Sequence, residues 1–449
     1  ASAQPRSPAD ARDHLRSGEY AEGPRGLRAE ARGSDATPSV VRAYARGLME
    51  VGRYDEAIQV AGDGGSAGGS PELANVLGEA HFALGQLQEA EAAFQRSVES
   101  GASDRNVARL NLGMLRWDQG RRDEALAIFD SFIDLYNQAR SPLTADDLMA
   151  VGTAVKYLGI TDSELFKDAL LAYDEAAEIS GGDPRPDLLA GELFLEKYRF
   201  TDARESFRPV LEANPRNPRA LLGQARILDF EGVGGSVAMV RQALEVNPNY
   251  VPARAFLASL LIKTEDYAQA RQEAEKALDT NPVHLQALSV LASVHFLEGD
   301  QAGYEAVKNR VLALNPKFPD LYTLVAEAAV TQRQYQIAVD LAQAAVDLDP
   351  SSWWSYGVLG MNQLRTGAVE EGRANLEIAF GGDPYNPWYK NSLDLLDTFV
   401  HFREVPTEHF RIFVHEREAE LLGPYAAEFA EEAFSTLRDR YGTVPPLPI

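Results

Sequence analysis

His415-Glu416-Arg417-Glu418 is the first half of a pattern that can hold zinc. Two histidines four apart on one helix face supply two ligands, and the glutamate between them activates the bound water. Here the second histidine position is Ala419. Phe410, Ile412 and Val414 also alternate with Arg411, Phe413 and His415, a period of two that belongs to a strand. His401, His409 and His415 lie close in sequence, and an exposed strand face accounts for them. Gly64-Gly65-Ser66-Ala67-Gly68 has the Gly-x-Ser-x-Gly spacing of a serine nucleophile. That chemistry needs a strand before the serine and a helix after it. A helical pattern precedes this stretch and Gly/Ser loop surrounds it, so 61–70 reads as a linker. No Gly-Lys-Ser/Thr follows it to cradle a phosphate. The chain has no cysteine, which excludes disulfides, thiolate metal sites and thiol nucleophiles. His14, His81, His284 and His295 sit in helical segments, His81 and His295 at a packing position. The acidic residues read as solvated helix faces rather than acid–base pairs. On this reading the chain is not an enzyme as given, and it has no catalytic residue, metal ligand or cofactor.

What must position any functional side chain is therefore a helical framework. The 449 residues carry a net charge of −24, and only 8 of the 43 basic residues are lysine. An acidic surface repels phosphate backbones, so nucleic acid is excluded as a partner in favour of basic segments or cations. No run of about 18 apolar residues is present to form a membrane-spanning helix. Ala1-Ser2-Ala3 fits the small-x-small pattern around signal-peptide cleavage sites, which leans toward export, with the cytoplasm as the alternative.

The prolines set a period. Asn214-Pro215, Asn247-Pro248, Asn281-Pro282, Asn315-Pro316, Asp349-Pro350 and Asp383-Pro384 follow one another at intervals of 33, 34, 34, 34 and 34 residues. Proline lacks an amide donor and disfavours helix at the residue before it, so each pair ends one helix and permits the next. Leu257, Leu291, Val325 and Leu359 form one column at this period. Ala258, Ala292, Ala326 and Gly360 form a second, and Ala277, Val311, Ala345 and Ala379 a third. Small residues let helices approach and large apolar ones fill the gaps. This pattern resembles the tetratricopeptide repeat, with small residues at the eighth and twentieth positions and proline near the thirty-second. Gly78, Ala90 and Phe94 fit it, as do Gly113, Ala125 and Phe129, and Gly191, Ala203, Phe207 and Pro215. Weaker units begin at Tyr20-Ala21-Glu22-Gly23 and Tyr54-Asp55-Glu56-Ala57, and the unit at 145–180 carries an insertion. The resemblance implies an all-α fold: a right-handed superhelical solenoid of about eleven helix pairs over residues 1–398. Soft joints are expected near 61–70 and 230–237, where glycine is dense.

In that family the ligand side chains come from the concave positions of each unit. Carried onto this chain, they are Arg42, Arg46, Asn75, Glu79, Trp117, Asp118, Glu192, Lys263, Ser293, Glu327, Trp354, Met361 and Arg365. Tryptophan and arginine are common interface anchors, and Trp117 and Trp354 compete with a role in packing between repeats. The lysine–asparagine clamp that some members use on a peptide carboxylate is not visible.

Residues 399–449 change character. "FREVPTEHFRIFVHE" holds one or two strands. Tyr425, Phe429, Ala433 and Leu437 then recur at helical spacing between Pro424, read as a first-turn residue, and Gly442. Strand, amphipathic helix and "YGTVPPLPI" resemble the opening of a peptidase-MA-like (gluzincin) domain, which in bacterial proteins often follows a tetratricopeptide array. That resemblance implies a zinc helix further along a longer parent chain. Three functions are open: a concave-face scaffold for a protein or peptide, the substrate-recruiting region of a longer metallopeptidase-like protein, or a structural subunit of a larger assembly.

Overall fold

The computed structural model describes residues 17–20, 23–33, 36–63, 70–139, 141–160 and 162–445. His14, the Gly64–Gly68 stretch, most of the 61–70 joint and the last four residues lie outside them. The chain forms two compact units, residues 1–385 and 386–449.

The first unit is built wholly from helices. Ten complete pairs run from Pro38–Glu50 with Tyr54–Asp63 to Trp353–Arg365 with Val369–Gly382, among the described residues. Helix Gly23–Ala31 precedes them. The commonest unit is a helix of 13 residues and one of 14, as in Val251–Lys263 and Tyr267–Thr280. Four first helices start on side-chain caps, from Asn217, His284, Ser352 and a Thr144–Asp147 capping box. The phased Asx residues end the second helices in extended backbone, with φ from −127° at Asn247 to −143° at Asp349. This is the conformation that a following proline imposes.

The columns read from the period are the core. Leu257, Leu291, Val325 and Leu359 are buried, and Ala258, Ala292 and Ala326 are fully so. Packing within a pair follows a size exchange. In early units a glycine faces an aromatic ring: a Cβ on Gly78 would sit 2.5 Å from the Phe94 ring, and one on Gly191 2.6 Å from Phe207. In the units with Ala258 and Ala326 the facing residues are Ala274 and Ala342, also fully buried. Around 230–237 the turn is open, and a Cβ on Gly232 or Gly234 would meet nothing. The helix after it is pinned by buried Ser236, whose hydroxyl donates to the Ala225 carbonyl at 2.8 Å.

The second unit begins with helix Pro387–Asp397 and a short 3₁₀ turn. Strands β1 (Phe402–Pro406) and β2 (Arg411–His415) pair antiparallel, Phe402 opposite His415 and Pro406 opposite Arg411. Helix Ala419–Tyr441 follows. It begins a turn earlier than Pro424 suggests. Pro424 is the sixth residue of this helix, where its missing N–H leaves the Glu420 carbonyl without its usual helical donor, and the small Gly423 beside it lets the helix lie against Val405. The face carrying Tyr425, Phe429 and Leu437 points outward, with 71%, 64% and 53% exposure. Phe434 turns inward and stacks on the His409 ring at 3.9 Å.

Candidate ligand groove

The superhelix of the first unit closes on itself. Hydrogen bonds join residues 193 to 199 apart along the chain. Asn214 donates to the Tyr20 hydroxyl (2.7 Å), Asn247 to the Tyr54 hydroxyl (3.1 Å), Asn281 to the Phe82 carbonyl (3.3 Å) and Asn315 to the Trp117 carbonyl (3.4 Å). The ends of these four units thus meet the mid-unit turns of the units five places earlier, and first helices face an internal groove.

A cavity of about 600 Å³ lies in this groove between successive superhelical turns. Its walls include Tyr54, Phe82 and Asp118 from one turn and Tyr250, His284, Phe318, Asp320, Glu327 and Trp354 from the next. Three carboxylates and a ring of aromatic side chains therefore face one space; no lysine or arginine is among the described residues that line it, though Lys263 and Arg365 near Glu327 and Arg122 near Asp320 act on those carboxyls from its edge. Asp118, Asp320 and Glu327 are all solvent-exposed residues, set in a groove with protein packed densely around it. Enclosure pushes the Asp118 carboxyl up to about 7. Glu327 is pushed up to about 7 by the same enclosure, against the pull of Lys263 and with a push from Asp320. Asp320 is raised by enclosure too, with Arg122 opposing. His284 is held down to about 4 by its surroundings, so the imidazole is neutral, and its Nδ1 accepts the Ala287 amide at 3.2 Å.

A second cavity of about 300 Å³ is lined by Arg46, Asn111, Lys156, Tyr157, Tyr173, Glu192 and Arg219, among others. Its charges are matched. Arg219 grips Glu192 with Nε and Nη2 at 3.0 and 2.7 Å. Enclosure works against the Glu192 charge, but the Arg219 guanidinium outweighs it and holds the carboxyl below its ordinary value.

The thirteen concave residues divide by what they touch. Asp118, Glu327 and Trp354 line the larger cavity, and Arg46 and Glu192 the smaller. Arg42 bonds the Glu72 carbonyl (2.6 Å) and carboxylate (3.1 Å) in the next unit. Asn75 is fully buried and donates to Glu79, while Asn111 donates back to Asn75 at 3.0 Å. Ser293 is buried and bonds the Ser289 carbonyl. Trp117 is wedged between Phe129 and Tyr157, with ring centroids 6.4 and 5.5 Å away, under the Arg122 guanidinium. Lys263 pairs with Asp229 at 2.7 Å, Arg365 donates to Asn362 at 2.7 Å, and Met361 is half-buried. Trp354 keeps 39% of its surface exposed. Tyr54, Tyr250, His284, Phe318 and Asp320 were not marked by their place in the repeat. They reach the cavity from helix starts and from the neighbouring superhelical turn, which a single unit's pattern does not display.

Among the described residues no group of three or more His, Asp or Glu side chains is placed to hold a metal ion. No helix of the described residues is long and apolar enough to cross a membrane.

Family models described as tetratricopeptide repeat match residues 42–105, 75–140 and 188–229, and a further one matches 235–294. The "Protein CTR9 homolog" of Arabidopsis thaliana is 33% identical over 108 residues, 22% of this chain. The match spans 10% of that relative's length. Among solved structures, yeast Tom70 is similar with a TM-score of 0.41 at 14% identity, over 81% of this chain and 89% of that one. The human IFIT1 dimer with m7Gppp-AAAA gives 0.43 at 12%, over 82% and 94%. Proteins with such repeats are typically protein-interaction scaffolds.

Proposed function

We propose that this array of tetratricopeptide repeats is a scaffold that holds a basic segment of a partner protein in its inner groove. One observation carries the reading: the larger cavity presents Asp118, Asp320 and Glu327 beside Trp354, and no lysine or arginine is among the described residues that line it. A lysine or arginine on an extended segment supplies what that space lacks. Its apolar stem lies along Phe82, Phe318 and Trp354, and its charge meets carboxylates whose ionisation the enclosure opposes. A cation against the Trp354 face adds about 1–2 kcal/mol when desolvated. Because these carboxylates are solvent-exposed, screening holds each added ion pair to about 1 kcal/mol or less.

The test is a binding titration with fluorescent extended octapeptides carrying lysine and arginine, glutamate, or only neutral residues. Basic peptides are expected to bind, and the double variant Asp118→Asn, Glu327→Gln is expected to lose most of that binding with its helix content intact. Equal binding of basic and acidic peptides, or no effect of the double variant, would overturn the reading.

A second reading concerns residues 386–449. Leu421, Tyr425 and Phe429 form an exposed apolar stripe, at 80%, 71% and 64%, on a helix that backs only a two-stranded sheet. Such a face is normally covered. This supports the unit as the start of a larger α/β domain of the peptidase-MA-like kind, with the repeats recruiting its substrate. A parent reading frame that continues into a His-Glu-x-x-His helix would favour this reading, and a frame without one would remove it.

A further inference from the structure

The glycines of the mid-unit turns fall into two sets. Gly18, Gly52, Gly85 and Gly120 all have positive φ, between 72° and 78°. A Cβ on any of them would collide with the side-chain oxygen of Asn214, Asn247, Asn281 or Asn315, respectively. These four turns are where the later superhelical turn docks. The equivalent turns of the last five units also take positive φ but carry no such partner. Gly232, Gly299 and Gly367 would meet nothing within 4 Å, and Glu265 and Arg333 hold φ of 60° and 59° with full side chains. Glycine thus appears at every one of the four Asn-docked turns, whereas Glu265 and Arg333 stand in undocked turns and Tyr198, at φ 57°, stands in the turn whose Lys197 meets Asp383. A left-handed turn tolerates Glu or Arg at moderate strain. What those four positions require in addition is room for the asparagine.

Each asparagine is pre-shaped for this contact. Its side-chain oxygen accepts the amide two residues on, as Asn247 does from Asn249 (3.0 Å) and Asn315 from Lys317 (2.9 Å). That fixes the amide plane and aims the NH₂ at the earlier turn. Two charged contacts join the same turns: Asp349 pairs with Arg122 at 2.5 Å, beside the turn that Asn315 meets, and Asp383 pairs with Lys197 at 3.3 Å.

We infer that these contacts are a line of clasps which hold adjacent superhelical turns together, and that the inner groove opens by parting along this line. The larger cavity draws its walls from both turns, so clasp closure and cavity formation are one event. This holds whatever the groove binds.

Matched alanine variants test it. Gly85→Ala with Gly120→Ala adds methyl groups against Asn281 and Asn315. Gly299→Ala with Gly367→Ala adds them at φ of 73° and 84° into open space, so it carries the same backbone strain without the collision. Small-angle scattering and circular dichroism would be measured for both, with carbodiimide cross-linking of Lys197 to Asp383 read by mass spectrometry. The clasp pair is expected to raise the radius of gyration by several ångströms at unchanged helicity and to lower the cross-link yield by more than half. The control pair is expected to leave both unchanged. Should the clasp pair lose helix, Asn281→Ala with Asn315→Ala breaks the same contacts without backbone strain and is read against the same control. Identical radii and cross-link yields in clasp and control variants would overturn the inference.

Discussion

Asp118 and Glu327 show how a residue's chemistry depends on where the superhelix places it. Both carboxyls are pushed up to about 7, first by enclosure. A raised carboxyl is neutral below its folded value, so cation binding should strengthen between pH 6 and 8 and weaken on acidification. Isothermal titration with a lysine-rich peptide across that range checks this, and the Asn/Gln double variant should flatten the profile. The same sign means that ionising these groups costs stability as pH rises from the ordinary carboxylate range toward 7. Glu431 is the opposite case. It accepts from Thr407 at 2.5 Å and from the His409 amide and ring at 2.9 and 2.7 Å. The Thr407 bond and then the His409 bond hold its carboxyl down to about 2, from an ordinary 4.5. Its contribution is complete above that ordinary value and is lost as pH falls toward 2, so Glu431→Gln should shrink the acid dependence of unfolding in this segment. The two tryptophans separate in the same way. Trp117→Ala should lower the melting temperature, because Phe129 and Tyr157 lose their neighbour. Trp354→Ala should cost roughly tenfold in peptide affinity, on the scale of one desolvated cation–π contact, with helicity unchanged. The concave register of one repeat placed Asp118, Glu327 and Trp354 on the face that lines the larger cavity. It could not find His284 or Asp320, which sit at and before helix starts, nor Tyr54, which belongs to a unit far away in sequence.

At the scale of the helix pair, nearly everything was legible, because the 34-residue period repeats the same packing problem. The small-residue columns, the helix ends before proline and the strand at 411–415 all follow from local spacing. The size exchange between Gly191 and Phe207 is also written in the sequence, and it sets a strong prediction. Phe207 is fully buried and contacts both Gly191 and Gly223, so it joins two units. Phe207→Ala should cost about 3–5 kcal/mol, and in a nearest-neighbour array that loss should appear as local unfolding around residues 185–230. Hydrogen exchange by mass spectrometry would show it there and not at 320–380. What local spacing concealed was the second role of Asn-Pro. Proline explains why the helix stops. Asparagine's local role is to accept the amide two residues on; its second role, against a glycine some 195 residues away, is not written in one period. The outward face of Tyr425 and Phe429 was hidden for a related reason: apolar periodicity marks a face that can pack, not one that has packed.

Across the whole first unit, the contacts that close the superhelix are as periodic as the helices. That regularity bears on how such a chain can change length. Suppose recombination excised the pair at 185–213 with its trailing turn. Gly18 would then meet Asn247, Gly52 would meet Asn281, Gly85 would meet Asn315, and Gly120 would meet Asp349. Every glycine would find an Asx residue already waiting, because the same residue type stands one step further along. Loss of this repeat would thus keep the four glycine–Asx contacts in register and remove only the Lys197 end of the Asp383 contact, whereas replacing a single covered glycine breaks its contact outright.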